Sequence, residues 1–316
     1  MKRKIIKTAL VVVGIVFVML LLVVNYFYGE AVKRGMAVEL YRGEETMQVM
    51  ASPQDQSLIE EANVWFDQQE HTLIELESYD DLILKAKLIE NDTLQNKAVI
   101  LAHGYRSTSE SMGQYAKFYY DQGFDVLIPD ARGHGESEGD YIGYGWHDRL
   151  DYLGWIELLI DRYKSEQILM HGNSMGASAV LMTSGEDLPE EVKGIIADSG
   201  YTTVKEELTH QLRHLYNLPA FPLLHLTSIM TVIRSGYSFE EASALNQVKE
   251  NNLPIFLVHG EEDELVPTEM AKELYEAAAG GKELWLVPGA GHTDAYDIAT
   301  EEYQDRLVDF IKQTIK

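Results

Sequence analysis

From Lys97 onward the chain alternates short, continuous apolar runs with longer amphipathic stretches. The runs KAVILAHG, FDVLIPD, QILMHG, VKGIIADSG, PIFLVHG and ELWLVPG each end on Gly, Pro, Asp or His, as buried strands bounded by turn residues do. Between most of them lie the helix-like segments SMGQYAKFYYDQ, HDRLDYLGWIELLIDRY, SMGASAVLMTS and TEMAKELYEAAA, and EEYQDRLVDFIKQTI closes the pattern. Strands that are apolar on both faces and separated by helices predict a mostly parallel central sheet with helices on both faces, an α/β architecture. Upstream, HTLIELES and LILKAKLIE alternate apolar with polar positions around Tyr79, Asp80 and Asp81, which predicts a two-stranded hairpin at a sheet edge. SLIEEANVWFDQQ predicts a helix from Ser57.

The alternation breaks once. Residues 201–251 hold no strand pattern, contain Pro219 and Pro222, and read as helical pieces. A helical insertion at this point forms a short cap over the strand ends and shapes a pocket there.

A different pattern opens the chain. After the basic MKRKIIK, residues 8–28 carry no charge. A helix of that length, at about 1.5 Å per residue, crosses a hydrocarbon layer of roughly 30 Å. Tyr26 and Tyr28 stand where interfacial aromatics belong. Four basic residues precede the span, against Lys33 and Arg34 after it, so the charge bias puts the N-terminus inside and the body outside. The organisation expected is an N-terminal membrane anchor over residues 1–30 and one domain over 31–316, with residues 30–55 beginning as a stalk. The protein is then single-pass in the cell membrane with its body extracytoplasmic. The alternative is secretion after cleavage of a signal peptide near Gly29, Glu30 and Ala31, against which the apolar run is long.

Charge narrows the partners. The formal net charge is -25, and beyond residue 34 the chain holds 20 basic and 50 acidic side chains. Such a surface repels phosphate backbones, so nucleic acid is excluded as a partner. The chain has no cysteine, which removes disulfides, thiolate catalysis and cysteine metal sites. No cofactor is expected. His292 and His103 lack a neighbouring His/carboxylate set at ligand spacing, so no metal is expected either.

In open parallel sheets, ligands gather beyond the carboxyl ends of the strands, where the reactive residue types of this chain fall. MHGNSMGAS puts Ser174 between Gly172 and Gly176, after an apolar run and before a helix-like one. This G-x-S-x-G in a strand–turn–helix context is a nucleophile elbow, whose glycines are needed because side chains would meet neighbouring backbone. A serine hydroxyl needs a base, and His292 in VPGAGHTDAY follows the last apolar run. The histidine needs a carboxylate, and Asp263 in LVHGEEDELVP follows the preceding strand. The backbone N–H of Met175 and that of Tyr105, in LAHGYRST, are the expected oxyanion donors.

With these residues the chain resembles the α/β-hydrolase superfamily, from about Leu73 to the C-terminus. DARGHGESEG resembles the D-x-R-G-H-G-x-S motif of the branch that holds serine aminopeptidases and monoglyceride-lipase-like esterases, and HGEEDELVP resembles that branch's acid loop. The nearest resemblance is to uncharacterised bacterial hydrolases with an N-terminal membrane anchor. It implies an α/β-hydrolase fold and a triad of Ser174, Asp263 and His292, and it gives no substrate.

The activity expected is hydrolysis of a small-molecule carboxylic ester through an acyl-enzyme on Ser174. A serine peptidase or amidase, and a catalytically silent surface-binding protein on the same fold, are the alternatives. The cap's acids, Glu206, Glu207, Glu240, Glu241 and Glu250, sit near its ends, and the apolar middle at residues 221–233 favours an acyl group. Asp198 also ends a strand and rivals Asp263. His103, His171 and His259 are expected to hydrogen-bond to loops, His134 and Arg132 to brace their own loop, and Glu261 and Glu262 to be solvated.

Overall fold

The structure is a computed structural model that describes residues 2–35, 52–91, 93 and 95–315. Its centre is an eight-stranded sheet of β1 (Thr72–Glu77), β2 (Ile83–Ile89), β3 (Lys97–Ala102), β4 (Asp125–Pro129), β5 (Gln167–Asn173), β6 (Val192–Asp198), β7 (Ile255–Gly260) and β8 (Lys282–Val287). The spatial order is β1-β2-β4-β3-β5-β6-β7-β8. β1 pairs antiparallel with β2 and β2 antiparallel with β4, while every other pair is parallel. The edge hairpin and the parallel core are those the patterning predicts.

The helices are α1 (Lys2–Ala31), α2 (Pro53–Gln68), α3 (Gly113–Asp121), α4 (Asp148–Tyr163), α5 (Met175–Thr183), α6 (Val204–Tyr216), α7 (Leu223–Ser235), α8 (Ala244–Gln247), α9 (Thr268–Ala277), α10 (Ala295–Ile298) and α11 (Thr300–Thr314). Alternate residues of each central strand feed two cores, one on each face of the sheet. Ala98, Ile100 and Ala102 of β3 join Trp155 of α4, Val180 of α5 and Leu274 of α9. Val99 and Leu101 join Tyr119 of α3, Phe66 of α2 and Phe310 of α11. Each buried Val, Leu, Ile or Phe among them is worth about 1.5–3 kcal/mol over exposure. α5 is buried on every side, which its apolar composition permits, and Ser178 is satisfied there by accepting from Tyr201 N at 2.8 Å.

The cap consists of α6, α7 and α8, inserted between β6 and β7 as the missing strand pattern implied. Two upstream expectations need correcting. α2 begins at Pro53, not Ser57, because Ser52 caps it by accepting from Asp55 N at 3.2 Å and Pro53 supplies the fixed φ of a first turn. The start of the expected stalk is docked on the body: Val32 is buried, its carbonyl accepts from Ile142 N at 2.7 Å, and Arg34 donates to the carbonyls of Ser137, Gly139 and Gly135. Residues 36–51 of that stretch lie outside the described residues.

α1 is long and apolar enough to cross a membrane by length and composition. Residues 3–23 are exposed along it, and burial begins at Val24.

Candidate active site

The turn between β5 and α5 explains its two glycines. A Cβ on Gly172 would come within 2.3 Å of the Gly176 backbone, and one on Gly176 within 2.1 Å of the Ala102 carbonyl oxygen. No rearrangement of a flexible side chain relieves either clash, so the close approach requires glycine. Ser174 itself stands at φ +54°, ψ −117°, a conformation that costs a non-glycine residue energy. It is held there by its N–H, which donates to Asp198 O at 2.8 Å. A serine before a helix ordinarily caps it with its own hydroxyl, but Ser174 makes no such bond. Its hydroxyl faces His292 instead.

The structure brings Ser174, His292 and Asp263 into one hydrogen-bonded chain. His292 Nε2 lies 2.8 Å from Ser174 Oγ, and Nδ1 lies 2.8 Å from Asp263 Oδ2. The other oxygen of Asp263 accepts from Leu265 N at 2.9 Å and Val266 N at 2.8 Å, which fixes the carboxylate plane. The loops carrying the acid and the histidine are tied by Glu262 N, which donates to Ala290 O at 2.9 Å. Burial would raise the Asp263 carboxyl, but the facing His292 and hydrogen bonds from His259 and His292 outweigh it and hold it well below the ordinary range. Burial works against the His292 imidazolium, yet Asp263 more than compensates, with Glu207 and Asp198 adding to it, and the ring is raised above its usual value.

Asp198 is not bonded to His292. Its Oδ2 accepts from Tyr303 Oη at 2.9 Å and its Oδ1 from Ser199 Oγ at 3.0 Å. Ser199 Oγ in turn accepts from Thr293 N at 3.1 Å, so Asp198 braces the histidine loop one hydroxyl removed. Burial raises its carboxyl to about 6.

The loop after β3 lies against the serine: a Cβ on Gly104 would sit 3.4 Å from Ser174 Cβ. Two neutral histidines hold this loop. His103 donates from Nδ1 to Gly104 O at 2.8 Å and accepts at Nε2 from Ala131 N at 3.0 Å. His134 donates from Nδ1 to Arg132 O at 3.0 Å and accepts from Arg106 N at 3.1 Å. Burial lowers each to about 4, so both keep the single proton this pattern needs. His134 therefore braces the loop of Tyr105 as well as its own. Arg132 is buried between Asp151 and Asp80, which fastens its loop to α4 and to the edge hairpin. Met175 opens α5, and the first N–H groups of a helix have no partner within it. Tyr105 and Met175, whose N–H groups are the expected oxyanion donors, both line the pocket with Ser174.

His259 bonds to its loop as expected, at 2.8 Å from Val266 O, but its Nε2 also lies 3.1 Å from Asp263 Oδ2. His171 departs from expectation. Its ring is bracketed by Tyr119 Oη at 3.1 Å and Tyr303 Oη at 3.2 Å, not by loop atoms. Because Tyr303 donates to Asp198, it accepts from His171 Nε2–H, and Nδ1 accepts from Tyr119. Glu261 and Glu262 are exposed.

A pocket opens above Ser174 and His292. Leu223, Leu224 and Thr227 of α7 line it, as do Leu208 and Leu212 of α6, so part of the apolar cap does face the serine. The sequence reading missed three lining groups. Phe27, Glu30 and Ala31 come from the end of α1. Tyr144 and Tyr201 lie at its side, with Tyr201 Oη donating to Tyr144 O at 2.8 Å. Glu207 is the third. Its Oε1 accepts from Gln211 Nε2 at 2.9 Å, Oε2 has no partner, and burial raises the carboxyl to about 7. Of the five acids near the cap's ends, Glu207 is the one that reaches the pocket wall. Glu207 and Gln211 share a helix face with Leu208 and Leu212, and that apolar spacing was the signal available for it.

A parallel sheet carrying a serine at a strand-to-helix elbow, with an acid and a histidine on the loops after the last two strands, defines an α/β hydrolase. Comparison with known proteins agrees with this α/β-hydrolase fold: the model of the family described as serine aminopeptidase, S33, matches residues 94–239. The chain is 28% identical over 247 residues to the uncharacterized protein YqkD of Bacillus subtilis, covering 78% of this chain and 81% of YqkD. It is 28% identical over 193 residues to the lysophosphatidylserine lipase ABHD12 of Danio rerio, covering 59% of this chain and 48% of that protein. Among solved structures, the Pyrococcus furiosus esterase Pf2001 matches with a TM-score of 0.66 and 26% identity, over 90% of this chain and 98% of the esterase.

Proposed function

We infer that this protein is a membrane-anchored serine hydrolase that cleaves carboxylic esters through an acyl-enzyme on Ser174. The observation that carries the reading is the 2.8 Å and 2.8 Å chain from Ser174 Oγ through the His292 ring to Asp263 Oδ2, at the floor of a largely apolar pocket. His292 Nε2 takes the serine proton as Oγ bonds to the ester carbonyl carbon, while Asp263 holds the proton on Nδ1 and stabilises the imidazolium. The oxyanion that forms accepts from the N–H groups of Tyr105 and Met175, each such donor being worth about 3 kcal/mol of barrier. The carbonyl–alkoxy bond breaks, and His292 delivers its proton to the departing alkoxide. Water, deprotonated by His292, then attacks the acyl carbon, and Ser174 leaves with the proton returned.

The anchor reading rests on the uncharged run of residues 8–28 within α1 and on the bonding of its last turn to the body. Retention of α1, rather than cleavage near Ala31, keeps those bonds. The charge bias favours an extracytoplasmic domain.

A second reading, an amidase or peptidase acting on an amine-bearing substrate, draws on Glu207. A buried carboxyl with an unpartnered oxygen in the pocket is suited to an N–H donor. The silent binding protein is disfavoured, because a binding role gives no reason for a strained serine bonded to a histidine–carboxylate pair. Labelling by a fluorophosphonate probe, abolished in Ser174→Ala, tests the activated serine. A panel of p-nitrophenyl esters and aminoacyl anilides then separates ester from amide hydrolysis.

A further inference from the structure

The end of the apolar helix is built into the pocket. The carbonyls of a helix's last turn lack intrahelical partners. In α1, Tyr105 Oη and Tyr144 Oη donate to Ala31 O at 2.9 and 2.8 Å, and Arg106 Nη2 donates to Glu30 O at 2.8 Å. Two of these donors belong to the loop that lies against Ser174. On the cap side, Tyr216 Oη donates to Glu30 Oε2 at 3.1 Å, and the Phe27 and Tyr216 rings meet edge to face with centroids 5.1 Å apart.

α7 reaches further along α1. Arg234 Nη1 donates to Asn25 Oδ1 at 2.8 Å, its guanidinium lies 4.9 Å from the Tyr28 ring centroid, and Tyr28 Oη lies 3.0 Å from Ser235 Oγ. Asn25 is inside the uncharged run. If that run crosses a bilayer, the C-terminal end of α7 lies level with the lipid boundary, and Glu30 in the pocket wall is about 7.5 Å further along the helix axis.

The surface of α7 fits that position. Thr227, Thr231 and Ser235 form its buried face. Ile229, Val232 and Ile233 are exposed on the other, with Phe221 just ahead of the helix, and Phe221 and Ile233 are each 78% exposed. The charge is complementary as well. Residues 208–239 contain no acidic side chain and include Arg213 and Arg234, in a chain of net charge -25. An apolar face on a helix that ends in a cation, carries no acid and is fixed to the end of α1 has the make-up of an interfacial helix.

We propose that the partner of this face is the lipid surface that receives α1: α7 lies in the interface, and the pocket takes its ester from the bilayer. The delivery half rests on the esterase reading, and the docking half rests on the anchor reading of α1 together with geometry and charge.

The chain has no cysteine, so a single introduced one is a site-specific probe. Full-length Ile233→Cys, labelled with bimane and reconstituted into phosphatidylcholine/phosphatidylglycerol vesicles, is to be compared with labelled Glu157→Cys on α4. Quenching by brominated lipid is expected at residue 233 and absent at 157. Equal solvent exposure of both probes overturns docking. In the second arm, the double variant Ile229→Glu/Ile233→Glu is expected to lose at least about tenfold in cleavage of a vesicle-embedded long-chain ester. Its hydrolysis of soluble p-nitrophenyl butyrate should stay unchanged, since neither residue lines the pocket. An unchanged ratio between the two substrates overturns delivery from the bilayer. Failure of the parent protein on both esters defeats the esterase reading, and lipid quenching still decides docking.

Discussion

Tyr303 donates its phenol proton to Asp198 Oδ2 at 2.9 Å, and this occupies the carboxylate that competes with Asp263 for His292. Asp198 ends β6, Asp263 lies in the loop just after β7, and both lie close to the histidine loop. Only Asp263 reaches the ring.

The two acids should therefore separate by mutation. Asp263→Asn is expected to lower turnover by about 10⁴, because an amide facing Nδ1 favours the wrong tautomer. Asp198→Asn keeps an acceptor for Tyr303 and should cost far less. Steady-state kcat for the two variants checks the ranking, and the reverse order would move the acid to the end of β6.

Ser174→Ala should remove ester hydrolysis and probe labelling together, with a loss on the order of 10⁶ in turnover. Its thermal unfolding should not fall, since the serine makes no capping bond and an unfavourable φ becomes no worse. Retention of more than a few per cent of activity, measured on protein free of contaminating esterase, would exclude Ser174 as nucleophile.

The pH profile follows from His292 and Glu207. The ring must be neutral to accept the serine proton, and Asp263 raises its pKa, so the acid limb of kcat/KM should lie above the ordinary histidine value. Activity is then lost as pH falls through that raised value. Glu207 also supports the imidazolium, so Glu207→Gln should shift the limb to lower pH. A limb that stays in place in this variant would separate Glu207 electrostatically from the ring.

Short-to-medium p-nitrophenyl esters should show kcat/KM at least about tenfold above matched aminoacyl anilides, because the pocket wall is mainly apolar. Glu207 gives this comparison its force. Faster anilide turnover that depends on a protonated amine and disappears in Glu207→Gln would establish the amidase reading instead.

Protease added to intact cells should remove the domain and spare the Met1 end, and activity should sediment with membranes. Protection until lysis would place the body in the cytoplasm. Soluble protein beginning near Val32 would mean that α1 had been cleaved.

Much of this protein is legible in one dimension. Continuous apolar strands can only be buried between helices, so KAVILA and QILM specify a doubly covered sheet before any contact is known. Gly172 and Gly176 announce a turn too tight for a Cβ, and the chain order of Ser174, Asp263 and His292 follows the strand ends. These features are local: each depends on periodicity or on backbone sterics within a few residues. The start of α2 is equally local, set by the cap at Ser52 and by Pro53.

What the tertiary structure alone decided are the contacts between residues far apart in sequence. That Asp198 bonds to Tyr303 while Asp263 bonds to His292 rests on partners 105 and 29 residues away. The role of His171 depended on two tyrosines from helices on the far face of the sheet. Glu207 looked like an end-of-cap acid until the packing of α6 turned it into the pocket. The last turn of α1 looked like the start of a stalk until Tyr144, 113 residues away, donated to its carbonyl. A hydrogen bond that closes so long a loop leaves no periodic trace in the sequence, because its geometry is set by how whole helices pack and not by the spacing of neighbouring side chains.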